Sequence, residues 1–443
     1  MIMRPAQLPT SAITRRSLLL GGAGLGGSFL LSGCIGGGST PSTSSSGSAS
    51  GGASTGVALT LQSDLSDPKP KAALESVVKG YTNNPVTLNT VATEQFRAQL
   101  STYLTSANPP DVITWLAGSV ARDYASKGLL LDVSDMWTGD GACAKFSPAL
   151  KALSTGDDGK QIFVPTSYYW WSIFYRKSAF EEWGVKPVTS WDDFMGMLDT
   201  LKGKGVYPLT CGTGSTAWMA SGWFDYLDLR INGAQFHREL LAGKHSFDSA
   251  EVRKVMDTYA TLIPYFDPKG RSYSVQEAAL PLANKKAAMY LIGAFVTTYF
   301  PSNMQDDIDF FSVPTIDPSI PSAEEAPTDG FFASSKTKNP AATKDFLSYL
   351  ASPVQQQAYI QGSGSSNLPT SSEVDTSKFS PLVQHGIKLL SETKEITQFF
   401  NRDSSDALQT TADTALTKFL DHPDQVASIL KDWQTAAQQV WNQ

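Results

Sequence analysis

From residue 57 onward the chain alternates strand-like segments with segments of helical periodicity, and this order limits the possible folds more than any other feature. Residues 57–61 alternate in strand fashion, and apolar residues within 74–81 then recur at i, i+3, i+4 and i+7, on one helical face. A strand, a helix and another strand follow by residue 113. This βαβα order predicts an α/β fold with a largely parallel sheet flanked by helices.

The same alternation continues through the second half of the chain. Strands are predicted at 162–164, 172–175 and 206–210, and Ser190 with Asp193 three residues later predicts the start of a helix. The tail from about residue 380 is predicted to be helical throughout. A chain of 443 residues with 41% apolar side chains can fill the cores of two ordinary domains.

Charge and cysteine content exclude several classes of function. The formal net charge is −7, and the Lys and Arg residues are scattered, so no basic stripe predicts binding to nucleic acid. Three cysteines make no disulfide framework, and no CxxC pair or His/Cys cluster has the spacing of a metal site. Neither a cofactor nor a metal is expected. Cys143 and Cys211 are expected to be buried in the core or to form one bridge.

Residues 1–34 have the composition of an export signal. Arg15-Arg16 precede an apolar, Gly-rich run that is too short to span a bilayer, and the segment resembles a Tat signal. Leu31-Ser32-Gly33-Cys34 resembles a bacterial lipobox, which implies cleavage before Cys34 and its acylation. We therefore expect a lipid anchor on the outer face of the cell membrane, with the Gly/Ser/Thr-rich residues 35–56 as a flexible tether. The alternatives are an uncleaved anchor, or plain export with a chance cysteine.

Several motifs then occur in a recognisable order. They are SANPPDVI at 106–113, GKQIFVP at 159–165 with SIFYRK at 172–177, TSWDDF at 189–194, the segment 218–230, and NKKAAM at 284–289. This ordered set resembles the extracellular solute-binding proteins of ABC-type sugar importers, the maltose- and multiple-sugar-binding cluster. Two positions depart from the family pattern, because Arg176 replaces an Asn and Asn284 replaces a Gly.

The resemblance implies a two-lobed periplasmic-binding-protein-like fold with a ligand cleft between the lobes. The chain would cross between lobes near Pro165, near Val313-Pro314 and again around 361–367. Lobe 1 would comprise 57–164 and 315–360, and lobe 2 would comprise 165–314 and 361–443. By the same resemblance the protein is a monomer that captures a sugar or short oligosaccharide, closes by hinge bending and delivers it to the permease subunits of an ABC importer. It is not expected to be an enzyme.

A sugar site needs aromatic platforms for the C–H faces of the ring and polar groups for the hydroxyls. In the aromatic run 168–171, large rings in a row cannot all pack on one strand face, so some are expected to face the cleft. Trp115 follows a strand end, where α/β sheets bind ligands. Trp218 and Trp223 lie on different helix faces, and Trp218 is preferred for the cleft. The full set of predicted ligand-binding residues is Glu94, Gln95, Arg97, Trp115, Tyr169, Trp170, Trp171, Thr216, Trp218, Asp225, Phe295 and Asp329.

Two other functions compete with sugar capture. One is a secreted lipoprotein enzyme acting on polysaccharide. The carboxylate pairs Glu181-Glu182 and Asp192-Asp193 are sequence neighbours that point to different sides, and neither GxSxG nor HExxH occurs. The other is the same binding fold with a non-sugar solute, such as a polyamine, an amino acid or a metal. Aromatic and amide richness favours the sugar.

Overall fold

The structure, a computed structural model, describes residues 56–442. The predicted signal segment, Cys34 and the tether up to residue 55 lie outside the described residues. The strands are β1 (Leu59–Ser63), β2 (Val86–Thr90), β3 (Val112–Leu116), β4 (Val164–Tyr168), β5 (Trp171–Arg176), β6 (Tyr207–Thr210), β7 (Ala287–Gly293), β8 (Ile308–Phe311), β9 (Ala323–Glu325), β10 (Thr328–Ala333), β11 (Leu368–Pro369) and β12 (Glu395–Thr397).

The helices are α1 (Pro68–Lys79), α2 (Thr93–Thr105), α3 (Ser119–Ser126), α4 (Pro148–Leu153), α5 (Lys177–Trp183), α6 (Trp191–Gly203), α7 (Ala220–Ile231), α8 (Gly233–Leu241), α9 (Ala250–Leu262), α10 (Ala279–Ala283), α11 (Pro340–Ala351), α12 (Pro353–Ser363), α13 (Pro381–Glu392), α14 (Phe400–Asp403), α15 (Asp406–Asp421) and α16 (Val426–Trp441). Short 3₁₀ helices at Ala217–Met219 and Ala294–Tyr299 approach the cleft described below. In the part of the chain that is described, no helix has the length and apolar character needed to cross a membrane.

The first large sheet has six strands in the order β11-β4-β10-β3-β1-β2. β1 is parallel to β2 and β3, as the βαβα pattern predicts. β10 is antiparallel to both β3 and β4, and β11 is antiparallel to β4. The prediction of a largely parallel sheet was therefore wrong for its second half, because the chain returns from the other sheet and inserts β10 in the reverse direction.

The second large sheet has the order β6-β7-β5-β8, and β9 pairs with β12 in a small parallel sheet. The chain leaves the first sheet after Tyr168, returns to it at Thr328 and leaves it again after Pro369. The first and third crossings were predicted near Pro165 and around 361–367, within a few residues of these passages, although β4 continues in the first sheet beyond Pro165. The second was predicted near Val313-Pro314, whereas β10 begins only at Thr328. The residue limits of the lobes stay predictions.

The C-terminal tail corrects one prediction. α13 ends at Glu392, residues 395–397 form β12, and α14 and α15 begin only after this extended stretch. The tail is therefore not helical throughout, because its extended part pairs with β9, a partner far away in the sequence. Helical periodicity on either side does not reveal such a long-range pairing.

The two cysteines lie in separate hydrophobic clusters. Cys143 packs in the cluster of the first sheet, Cys211 packs in that of the second, and both thiols are free. Burial raises the pKa of each thiol to about 12. Of the two alternatives that the sequence left open, the buried core residue is the one observed.

Candidate ligand-binding cleft

A cavity of about 260 Å³ lies between the two large sheets. Residues from the ends of β1 and β3 and from the start of α2 line one side of it. Because β1 and β3 are parallel, their carboxyl ends meet at one edge, which is where open α/β sheets bind ligands. The opposite side is lined by the start of β5, by both 3₁₀ helices named above and by the segment 399–402.

Asp64 provides a carboxylate on the first side. Its Oδ1 accepts a hydrogen bond of 2.6 Å from the Thr114 hydroxyl, and the Thr93 hydroxyl donates to its backbone carbonyl at 3.0 Å. Burial, reinforced by the nearby negative charge of Asp329, raises the pKa of Asp64 to about 6. The titration of Asp64 is thereby moved from the acidic range toward neutral pH.

Arg402 joins the two sides of the cavity. Its guanidinium donates to Asp329 Oδ1 at 2.8 Å, to the Thr328 carbonyl at 3.0 Å and to the Tyr169 hydroxyl at 2.8 Å. The Arg402 side chain is only 9% exposed, whereas that of Asp329 is 31% exposed toward the cavity. The ion pair therefore fixes a carboxylate in position while leaving part of it free to accept further hydrogen bonds.

An aromatic cluster forms the facing wall. Trp171 stacks on Phe399 with ring centroids 4.4 Å apart, and the edges of Trp218 and Phe295 meet Trp171 at 6.3 and 6.2 Å. Trp171 is almost fully buried, whereas Trp218 and Phe295 are half-buried. These two rings are therefore more accessible to a ligand than Trp171, which packs against both of them.

Several lining residues carry buried polar atoms that have no hydrogen-bond partner among the described residues. They are Arg97 Nε, Trp115 Nε1, Trp171 Nε1, Asn367 Oδ1 and Asn401 Oδ1. A buried polar atom without a partner costs about 1–3 kcal/mol, so such atoms are uncommon in folded proteins. The five donors and acceptors that line the cavity are suited to a ligand with many hydroxyl groups.

At the mouth of the cavity a hydrogen bond connects the two sides. The Gln276 amide donates to Asp67 Oδ1 at 3.0 Å. Asp67 precedes α1 on the first side, and Gln276 belongs to the segment before α10 on the second. This contact therefore bridges the two sides beside the cavity, which Asp67 lines.

Eight of the twelve predicted ligand-binding residues line the cavity: Glu94, Arg97, Trp115, Tyr169, Trp171, Trp218, Phe295 and Asp329. The other four do not. Gln95 is exposed outside the cavity, and the Thr216 hydroxyl donates to the Gly212 carbonyl. Trp170 is fully buried against Phe310. Asp225 is fully buried and accepts from the Phe400 amide.

Sequence reasoning missed other lining residues, among them Asp64, Asn367, Phe399, Asn401 and Arg402. Asp64 follows the end of β1, so the strand-end rule that selected Trp115 would also have selected it. Phe399, Asn401 and Arg402, which follow β12, gave no comparable signal, because the tail was predicted as a continuous helix.

Three comparisons place the chain among known proteins. The family model of bacterial extracellular solute-binding proteins matches residues 66–357. An uncharacterized ABC transporter extracellular-binding protein of Pyrococcus horikoshii is 25% identical over 394 residues, covering 86% of each chain. An α-glucosides-binding periplasmic protein of Rhizobium meliloti is 23% identical and covers 73% of each chain.

Among solved structures, the bacterial solute receptor AcbH superposes with a TM-score of 0.82 and 30% identity. The match covers 87% of this chain and 99% of the receptor, which is described as having an exclusive substrate preference for β-D-galactopyranose. The two-lobed fold predicted from the motifs is thereby confirmed. The chain belongs to the family of bacterial extracellular solute-binding proteins.

Proposed function

We propose that the protein captures a sugar of one or a few pyranose rings outside the cytoplasm and delivers it to the permease of an ABC importer. The observation that carries this proposal is the pairing of two unlike walls in one cavity. Half-buried aromatic rings face a wall that carries Asp64, Asp329 and unpartnered donors and acceptors. A pyranose has this same combination of apolar C–H faces and polar edge.

In this arrangement Trp218 and Phe295 contact the faces of the sugar ring. Asp64 and Asp329 accept from its hydroxyls, while Arg97 and the indole of Trp115 donate to its oxygen atoms. Glu94, Tyr169 and Trp171 complete the proposed set from the sequence, and Asn367, Asn401 and Arg402 are added from the structure. Arg402 and Trp171 act mainly by holding their neighbours in place.

The relatives support a carbohydrate ligand. One solved receptor with the same fold prefers β-D-galactopyranose, and one curated relative is named for α-glucosides. D-galactose is therefore the first ligand to test, followed by glucosides and galactosides of increasing length.

Delivery requires the protein to open and close and to stay near the membrane. We propose that the Asp67–Gln276 contact at the mouth belongs to the closed form and breaks when the lobes separate by hinge bending. We further propose that the protein is a monomer without enzymatic activity, anchored to the outer face of the cell membrane through a lipidated Cys34.

The test is a binding screen of the chain lacking residues 1–34, by calorimetry and thermal unfolding. The panel contains D-galactose, D-glucose, maltose and raffinose, with spermidine as a non-sugar, and each mixture is analysed for products. A sugar at 100 times its dissociation constant stabilises the fold by about 2.7 kcal/mol. Recovery of that sugar unchanged supports capture. Cleavage of the sugar would favour the enzyme alternative, and binding of spermidine alone would favour a non-sugar solute.

A further inference from the structure

Two carboxylic acids lie buried against each other behind the aromatic wall, outside the cavity. Asp225 on α7 and Glu325 at the end of β9 are both fully buried, and their carboxyl groups are in hydrogen-bonding contact. Apart from this mutual contact, Asp225 Oδ1 and both carboxyl oxygens of Glu325 accept no hydrogen bond from the described residues. A hydrogen bond between two carboxyl groups requires that one of them is protonated.

The cations nearby already face other acids. Arg230 donates to Glu324 at 2.7 Å. His237 Nδ1 lies 2.9 Å from Asp228 Oδ2, whereas its Nε2 is 4.0 Å from Asp225 Oδ1. The remaining titratable groups that face the pair come from α7, α9, α14 and the link between β4 and β5: Tyr226, Tyr259, Asp403 and Tyr169.

Among the described residues, His237 faces Asp225 at 4.0 Å and no cation forms an ion pair with Glu325, so the two acids are stabilised by a proton between them. Burial, and after it the charge of Asp225, holds the pKa of Glu325 well above its ordinary value. Burial likewise raises the pKa of Asp225, against the opposing effect of His237. A neutral Glu325 donates to ionised Asp225, and the second Asp225 oxygen stays free to accept elsewhere.

That second oxygen holds the segment that completes the ligand cavity. Asp225 Oδ2 accepts from the Phe400 amide at 2.8 Å. The flanking residues Phe399 and Arg402 line the cavity, the first stacked on Trp171 and the second bound to Asp329. Glu325 is the last residue of β9, and β10, which returns the chain to the first sheet, begins three residues later. The acid pair thus connects α7, the returning strand and the cavity segment 399–402.

We infer that Asp225 and Glu325 are positioning residues that share one proton, and that loss of this proton releases the segment 399–402 and weakens ligand binding. The part of this inference that concerns ligand affinity rests on the proposed function, whereas the positioning of the segment does not. When the pH rises, Glu325 gives its proton to solvent and two negative charges are left in contact in a buried site. Their repulsion separates Asp225 from Glu325 and strains the hydrogen bond to Phe400.

The direction of the pH effect on folding follows from proton counting. In the unfolded chain Glu325 loses its proton near the ordinary carboxyl pKa, whereas the folded protein keeps it to higher pH. The folded state then binds one more proton than the unfolded state, so the folding equilibrium weakens about tenfold per pH unit in this window. The window begins near the ordinary carboxyl range and ends at the raised pKa of the pair.

The decisive variant is Glu325→Gln, whose amide donates to Asp225 at any pH. Its matched control is Glu392→Gln, the same change at a side chain that is 67% exposed on α13. Unfolding by denaturant is measured for the ligand-free proteins from about pH 6 to about pH 9. We expect the unfolding equilibrium of E325Q to depend on pH less steeply than that of the wild type, by up to one proton, with E392Q following the wild type.

Hydrogen exchange of the peptide containing 399–403 reports on the segment itself. After correction for intrinsic rates, its protection is expected to fall with pH in the wild type and to stay constant in E325Q. Equal pH profiles for the two proteins in both measurements would overturn the inference. If E325Q does not fold, Asp225→Asn replaces it, because its amide can donate to ionised Glu325 while its oxygen accepts from Phe400.

Ligand binding forms a separate arm of the experiment. With D-galactose, or another sugar from the panel that binds, we expect affinity to fall several-fold between about pH 7 and about pH 9 in the wild type but not in E325Q. The coupling to binding would be contradicted if the wild-type affinity stayed constant over the pH range in which unfolding and hydrogen exchange of the ligand-free protein change. If no sugar binds while the ligand-free profiles differ as expected, the proposed function fails and the positioning pair stands.

Discussion

Replacing Trp218 by alanine separates a ligand platform from an ordinary core residue. Trp218 is half-buried and makes two edge contacts, with Trp171 at 6.3 Å and Phe399 at 5.7 Å. At about 0.5–1.5 kcal/mol for each aromatic contact, their loss lowers the free energy of unfolding by about 1–3 kcal/mol, in addition to the lost burial of the half-buried ring. The fold should therefore survive the substitution.

The expected loss of sugar affinity depends on how much of the exposed part of the Trp218 ring a sugar covers. If a pyranose covers about 60 Å² of it, burial contributes about 1.5 kcal/mol at about 25 cal/mol per Å². Specific contact between the ring and the C–H face adds about 0.5–1.5 kcal/mol, by analogy with aromatic pairs. Together these terms predict a loss of affinity of about 30- to 150-fold.

Calorimetry with D-galactose, or with another sugar that binds, measures this loss. The matched control is Trp191→Ala, which removes another half-buried tryptophan, at the start of α6, whose ring packs on Phe194 at 5.5 Å away from the cavity. We expect W191A to lose stability but to keep its affinity. The reasoning is refuted if W218A binds the sugar within about threefold of the wild type, or if both variants lose affinity equally.

Three further predictions follow from the cavity and the cores. Because Asp64 has a pKa of about 6, sugar affinity is expected to fall by up to tenfold per pH unit below that value as the acceptor is protonated, and Asp64→Asn should flatten this limb in a calorimetric pH series. A Cβ at Gly386 would press on the Trp170 ring, so Gly386→Ala should lower the free energy of unfolding by about 1–3 kcal/mol in a denaturant titration without changing affinity. In a chain lacking residues 1–34, Cys143 and Cys211 should resist a thiol reagent until denaturant is added, since burial raises both pKa values to about 12; rapid native labelling would contradict this.

The cavity residues that could be predicted from the sequence follow local rules. Trp115 was found because parallel strands present their carboxyl ends to ligands. The run 168–171 was expected to divide between core and cleft; Tyr169 and Trp171 line the cavity although both are buried, whereas Trp170 does not line it. Which ring takes which side depends on where β5 begins, and the sequence does not give that boundary.

The residues that could not be predicted depend on long-range packing. Every residue of α7 is buried, so periodicity could not tell whether Asp225 faces the cleft or the core. Arg402 reaches the cavity only because β12 pairs with β9 and directs the following turn toward β10. Neither the pairing of β12 with β9 nor the contact of the following turn with β10 leaves a local pattern in the sequence.

The late position of Phe399, Asn401 and Arg402 has a consequence for biosynthesis. All other lining residues precede them in the chain, and the ribosome makes them after both large sheets are complete. Their contacts join distant parts of the sequence, and such contacts form late in folding. A nascent chain therefore has no finished binding site, and sugar present during synthesis cannot guide its folding until the last segment has emerged.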